Sequence, residues 1–398
     1  MKILVHDYVG HPFQVQLSRE LARRGHEVLH LYCSSFVTPH GDLARHDDDP
    51  PGFDCRGITL SEVIRKTNFI SRYRLESEYA RALVAECQQF RPEVVLSANT
   101  PSIVQNRLAG WCERHRVRLV SWIQDIYGLA AYRLLSRKLP VIGHLVGHYF
   151  ITLDKASARR SDAIVVITPD FQNVLTQWGV DPSRLHVIHN WAPLEDIPLR
   201  PRENAWSKHQ SFGAGVRFIY AGTLAMKHNP ALLLELARLL DRDSTGELIV
   251  VSEGAGVEWL AQQAAQEKLG SLRCLGFQPF EMLSDVLGSG DVLVAILEAD
   301  AGVFSVPSKV LSYLCAARPL LLAVPRENLA AKTVVESGAG LVVEPHDVSG
   351  FCAAAQRLID SPHLREELGQ AARRYAEAHF DIHQIGDQFE AVLSGGKI

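Results

Sequence analysis

From residue 2 onward the chain alternates short apolar runs with segments of helical period, and near residue 217 the same alternation starts again. The first run, KILVHD, leads through the loop YVGHP into FQVQLSRELARRG. There Phe13, Leu17 and Leu21 share a helical face and Gly25 supplies the stop. HEVLHLYC, EVVLSA, VRLVSWIQD and DAIVVITPD read as further strands, and PSIVQNRLAGWCERHR as a helix among them. Runs of this kind, separated by helices, belong in a parallel sheet covered on both faces. In the second half RFIYAG, ELIVVSEG, SLRCLG, DVLVAILE and PLLLAVP repeat the strand pattern. NPALLLELARLLDR, GVEWLAQQAAQEKLG and EMLSDVLGSGD supply the helices between them.

A chain of 398 residues is too long for one comfortable core. The expected architecture is therefore two α/β, Rossmann-like domains, residues 1–192 and 216–375. A linker at 193–215 falls in the polar, Pro- and Gly-rich stretch APLEDIPLRPRENAWSKHQSFGAG. A closing amphipathic helix at 376–398 is long enough to cross back to the first domain. Such sheets bind ligands at their carboxyl ends, so a cleft between two facing domains is the expected site. The net charge of −4 gives no reason to expect nucleic acid. Seven scattered cysteines without a C-x-x-C pair read as reduced thiols in a cytoplasmic protein. The amino terminus starts as a strand, and no run of about 18 apolar residues suggests a spanning helix.

The loops after the second-half strands share a chemical theme. Gly222 permits a close turn, and Lys227 precedes a helix begun by Asn229-Pro230. That lysine is either a counter-charge for a diphosphate or an ordinary surface lysine. Gly254-Ala255-Gly256 follows LIVVSE, and Phe277 follows SLRCLG, where an aromatic can stack on a flat base or pack on its own helix. Ser308 and Lys309 stand at a helix start, which suits an anion site and equally an ordinary cap.

Together, GHPFQVQLSRELARRGHEV, VIHNWAPLEDIP, FIYAGTLAMKH, VVSEGAG, LGFQPFEMLSDVLGSGDVLV and VPSKVLSYLCAARPLLLAV resemble the family-4 retaining glycosyltransferases of GT-B fold, especially bacterial members that build surface polysaccharides. The resemblance covers nearly the whole chain. It implies that the second half binds a nucleoside-diphosphate sugar, with UDP as the expected nucleotide. Lys227, Ser308 and Lys309 would flank the diphosphate, with Gly10, Gly222, Thr223 and Glu253 lining the donor site. Phe277 and Gln278 would lie beside the base, and Gly302, Val303, Phe304 and Ser305 beside the sugar. Many relatives carry two glutamates around this last helix; aligned on AARP, those positions hold Phe304 and Ser312 here, and Glu298 is a candidate substitute for one acid. Ser312 can still hydrogen-bond a ribose.

In the first half Gln124 and Asp125 end a strand where relatives often place a polar pair facing the reacting sugar, although a helix cap is the more ordinary reading of Asp125. Lys227 and Asp125 are the catalytic candidates. Thr168, Asp170 and Asn190, with Gln124, are the candidates for a glycan or lipid-linked acceptor. His6, His11 and HDDDP (46–50) lack metal-ligand spacing, so neither a metal nor another cofactor is expected. Two segments, IRKTNFISRYR and YRLLSRKLPVIGHLVGHYF, mix bases with bulky apolar groups. They suit either a lipid surface at the inner face of the membrane or packing on their own domain. The alternatives to a transferase are a non-catalytic partner of another transferase and a sugar-nucleotide epimerase of the same architecture.

Overall fold

The computed structural model describes residues 1–35, 43–62, 69–139, 141–297 and 308–396. The chain forms two compact units, Met1–Asn190 with Ile382–Ile398, and Trp191–Asp381.

In the first unit the described strands are β1 (Lys2–Asp7), β2 (Glu27–Cys33), β3 (Phe53–Ile58), β4 (Val94–Ala98), β5 (Arg118–Ile123), β6 (Ala163–Val166) and β7 (Leu185–Val187). All neighbours pair in parallel, in the order β3-β2-β1-β4-β5-β6-β7. The order reverses between β1 and β4, so the loops leaving these two strands diverge and open a crevice at their carboxyl ends. One core layer joins Leu4, Leu29, Val95 and Leu119 from the strands to Leu83, Leu108 and Trp111 from the helices.

The helix Ile382–Ser394 completes this unit. Phe389 packs on Trp122 with ring centroids 4.7 Å apart. Arg24 reaches the Glu390 and Asp387 carboxylates at 2.9 and 2.6 Å, the His383 carbonyl at 2.6 Å and buried Glu20 at 2.9 Å. Arg24→Ala would strip these acceptors of their shared donor, at a cost of about 1–3 kcal/mol. A lowered melting temperature, with faster amide exchange confined to this helix and its contacts, is the expected result.

In the second unit the described strands are β8 (Val216–Ala221), β9 (Gly246–Val251), β10 (Leu272–Leu275), β11 (Val292–Ile296), β12 (Leu320–Ala323) and β13 (Gly340–Val343). They are again parallel, ordered β10-β9-β8-β11-β12-β13, with the reversal between β8 and β11. The helix Ala231–Arg242 buries Leu232, Leu233, Leu236 and Leu240 against Phe218, Leu248 and Val294.

The structure departs from the sequence reading in several places. β3, β7 and β13 were not read as strands, because FDCRGI is interrupted by charge and glycine and the other two are short segments. Residues 193–215 belong to the second unit and contain the helix Ala205–Gln210. Asn204 and Ser207 cap it reciprocally, and Trp206 is buried with its Nε1 donating to Gln278 Oε1 at 3.0 Å. Polar composition marked exposure there, but one tryptophan and one cap suffice to anchor the segment. The expected closing helix at 376–398 is two helices: Pro362–His379 ends in the second unit, and Ile382–Ser394 belongs to the first.

Candidate functional site

At the end of β1, Asp7 is fully buried and organises the loop that follows. Its carboxylate accepts from the Val9 N–H at 3.0 Å, from the His11 N–H, and from His11 Nδ1 at 3.3 Å. Gly10, at φ +85°, supplies the left-handed turn that brings His11 back onto Asp7. Pro12 then starts the helix Pro12–Arg23, where its fixed φ suits the first turn. Burial opposes charge on Asp7, but the facing His11 overrides it and holds Asp7 below the usual carboxylate range. Burial likewise opposes charge on His11, and Asp7, with Asp125 adding to the pull, raises it above the usual imidazole value.

Asp125 follows β5 and is pushed up to about 7 by burial, which the His11 charge only partly offsets. The helix-cap reading of Asp125 is not what the structure contains. The N-cap of helix Tyr127–Lys138 is Ile126, without a side-chain bond, and the Gly128 N–H donates instead to Asp154 at 2.6 Å. Asp125 is half-buried and makes no side-chain hydrogen bond among the described residues. With Asn99, Gln124, Tyr127 and Asp154 it lines a cavity of about 50 Å³, room for a few waters. Gln124 Nε2 and Asn190 Oδ1 are buried without a hydrogen-bond partner. Two of the residues expected at the acceptor thus carry orphaned polar atoms, which is the condition a polar ligand relieves.

Two others do not. Thr168 is buried and caps the helix Pro169–Gln177, accepting from the Asp170 N–H at 3.3 Å and donating to the Asp170 carboxylate at 3.2 Å. Both side chains already bond one another. His6 is a core residue, bonded to Tyr79 at 3.0 Å and Ser97 at 3.2 Å, and burial drives it down to about 3. Asp49 of the HDDDP loop pairs with Arg19 at 2.6 Å. Among the described residues no cluster of three His, Cys, Asp or Glu side chains could hold a metal ion.

In the second unit the loops after β8, β9 and β10 meet. Gly256 lies so close to the Leu224 carbonyl that a Cβ there would stand 2.5 Å from the oxygen. Glu253 Oε1 accepts from the Phe277 N–H at 3.3 Å, and the Phe277 ring is exposed. Thr223 is exposed and its carbonyl accepts from Tyr220 OH at 2.8 Å. Lys227 stands on the short turn Met226–His228 in the same group of loops.

The helix Lys309–Cys315 is tied to β8 by Tyr313, whose hydroxyl bonds both the N–H and the carbonyl of Ala221 at 2.9 and 3.0 Å. That anchorage places Lys309 Nζ 3.8 Å from the centroid of the Tyr220 ring. The ammonium is buried and has no hydrogen-bond partner. Desolvation lowers it to about 7. Gly222, at φ +120°, leaves the space above it open: a Cβ there would stand 3.1 Å from Lys309 Cε and Nζ. Ser308 is the N-cap residue but makes no side-chain capping bond, so the ordinary-cap reading fails for it. Ser312 is half-buried on the same helix. Glu298, Gly302, Val303, Phe304 and Ser305 lie outside the described residues.

Residues 11–191 match the family model of the glycosyl transferase 4-like domain, and residues 215–361 that of glycosyl transferases group 1. The chain belongs to the family-4-like glycosyltransferases of GT-B fold. It is 26% identical over 201 residues to the probable glycosyltransferase WbjE of Pseudomonas aeruginosa, a match that spans 50% of this chain and 49% of that one. The fold is shared with sucrose-phosphate synthase from Thermosynechococcus elongatus at a TM-score of 0.73 and 17% identity, covering 100% of both chains. It is shared also with Anabaena HepE in complex with UDP-glucose, at a TM-score of 0.70 and 16% identity, covering 99% of this chain and 100% of that one.

The sequence reading weighed His11 only as a metal ligand, and it passed over Asp7 and the contact of Tyr220 with Lys309. The available signal was a strand ending in Asp followed by a loop ending in His-Pro, which makes sense only once the loop is seen to fold back.

Proposed function

We propose that this glycosyltransferase retains anomeric configuration and moves a sugar, a hexose in the first instance, from a UDP-linked donor to a glycan or lipid-linked acceptor of bacterial surface polysaccharide. The observation that carries the donor half is Lys309, a desolvated ammonium with no partner beneath an open glycine. A diphosphate supplies the missing charge, and Lys227 in the neighbouring turn is the second cation. Negative charge grows on the departing diphosphate as the sugar bond breaks, so a cation fixed in advance stabilises the transition state more than the ground state. Positive charge grows meanwhile on the oxocarbenium-like sugar. The Asp125 carboxylate, steadied by His11 and Asp7, is the group we assign to it, with Gln124 and Asn190 to bond the acceptor. Among the described residues no carboxylate stands out as a covalent nucleophile, which favours a front-face reaction in which the leaving phosphate takes the acceptor proton. The WbjE match and the UDP-glucose held by HepE support the choice of reaction and nucleotide.

The first test is thermal stabilisation by UDP, ADP and GDP side by side, because a ligand of the native state raises its melting temperature by mass action. Stabilisation by UDP alone is expected; stabilisation by another nucleotide alone would reassign the base. The replacement of two family glutamates by Phe304 and Ser312 favours a second reading, a non-catalytic partner of another transferase. Donor hydrolysis or transfer by the purified chain rules it out. With lysines meeting the diphosphate charge, the reaction needs no metal. Activity after EDTA treatment should equal that before, and recovery only on adding Mg²⁺ or Mn²⁺ would overturn the assignment.

A further inference from the structure

The helices Tyr127–Lys138 and Ile142–Arg160 form an antiparallel hairpin in the first unit. Its inner seam is built on glycines: a Cβ at Gly143 would stand 2.0 Å from the Leu135 carbonyl oxygen, and one at Gly147 would stand 2.7 Å from Tyr132 Cα. Tyr132 OH also bonds His144 Nδ1 at 2.8 Å. Because the small residues face inward, the bulky apolar ones face out. Ile142, Leu145, Val146 and Tyr149 follow the i, i+3, i+4, i+7 spacing that ordinarily points at a core. Here that stripe is in solvent, with Ile142 63% and Leu145 70% exposed. Val141 at the hairpin tip is 76% exposed, and Leu134 and Leu139 extend the patch. Seven of the fourteen strongly exposed large apolar side chains among the described residues lie in this one hairpin, so it is a patch and not scatter.

The charge on the same segment has one sign. From Ile126 to Leu153 there is no Asp or Glu, while Arg133, Arg137 and Lys138 are basic and His144 and His148 accompany them. A two-fold pairing of this face with a second copy would bring like charges together. An anionic bilayer meets both halves of the surface, with acyl chains for the stripe and headgroups for the cations. No helix among the described residues is long and apolar enough to cross a membrane, so the contact is one of lying on the surface. We propose that the 127–149 hairpin docks the protein on an anionic lipid surface, its tip and the Ile142–Tyr149 stripe entering the headgroup region. The proposal rests on the surface of the first unit and not on the sugar-transfer reading. The alternative of packing on its own domain, left open by the sequence, does not fit the exposed stripe.

The test uses the full chain with extruded vesicles of phosphatidylcholine alone and of phosphatidylcholine mixed equally with phosphatidylglycerol. Co-sedimentation with the mixed vesicles, weakened by salt and by omission of phosphatidylglycerol, is expected. The double variant Ile142→Asp with Leu145→Asp should lower the partition coefficient by roughly tenfold or more, since two charges replace apolar contacts. Circular dichroism and nucleotide binding should match the parent. If that variant fails to fold, Val141→Ser with Ile142→Ser replaces it, with a smaller loss expected. Failure of the parent to bind mixed vesicles, or binding by a folded variant as strong as the parent's, overturns the proposal. So does light scattering that shows a dimer which the variant dissolves, because the patch then belongs to a second copy. Loss of catalysis without loss of vesicle binding would count only against the reaction proposed above.

Discussion

Replacing Asp125 with asparagine lowers the rate of sugar transfer by about 10²–10³-fold, the loss typical of one preorganised electrostatic group in a site. Nucleotide affinity should not change, because the carboxylate is assigned to the sugar and its acceptor. The pH profile separates this role from a structural one. Burial pushes Asp125 up to about 7, with His11 as the charged group that acts on it. Stabilising a positive charge requires the ionised form, so the parent rate should climb as pH rises through about 7 and fall away below it. The asparagine variant should lack that limb. Stability carries the opposite sign: a carboxyl whose folded value is raised is at no disadvantage below its unfolded value, and loses stability as pH rises toward the folded one. Asp125→Asn should therefore melt higher than the parent at pH 8 and alike at pH 4. An unchanged rate, with only the stability effect present, would leave Asp125 as a half-buried acid without a part in transfer.

Lys309→Met should weaken UDP binding while strengthening the empty fold. The lost charge-assisted contact is worth about 1.5–3 kcal/mol, or roughly a 10- to 150-fold rise in Kd. The gain arises because the Lys309 ammonium is buried without a hydrogen-bond partner, set over the Tyr220 ring face. Its value is lowered to about 7, so the folded state binds fewer protons than the unfolded chain between there and the ordinary lysine range. That penalty is absent above the unfolded value, grows as pH falls, and is complete below about 7. The variant should melt higher than the parent at pH 7, and the difference should shrink toward pH 10. A diphosphate restores the charge, so UDP binding near pH 8 should be accompanied by proton uptake, visible by calorimetry in buffers of different ionisation enthalpy. A higher melting temperature with unchanged UDP affinity and no uptake would mean that Lys309 is buried for other reasons.

Much of the architecture was legible because it is local. A period of 3.6 in NPALLLELARLLDR and continuous apolar runs such as VRLVSWI report their own burial. The order of such segments dictates two parallel sheets, and turn residues mark where loops leave the strands. The loops proposed for the site were legible for the same reason. Gly222, Asp125 and Lys309 each follow or face the carboxyl end of a strand.

What the sequence could not convey was which of two local readings each residue obeys, because that depends on neighbours distant in the chain. Asp125 has a cap's spacing, yet Asp154 of another helix takes the backbone bond and leaves Asp125 half-buried and unbonded among the described residues. Lys309 looks like any helix-start lysine until Tyr313 ties its helix to β8 and desolvates the ammonium over Tyr220. Ile142 and Leu145 have the spacing of a core stripe, and only the close approach at Gly143 and Gly147 turns that stripe outward. The sequence by itself determined the periods, and with them the strands, the helices and the two sheets. Tertiary structure alone decided solvation, and therefore charge state and exposure, because these depend on atoms that folding brings from elsewhere in the chain.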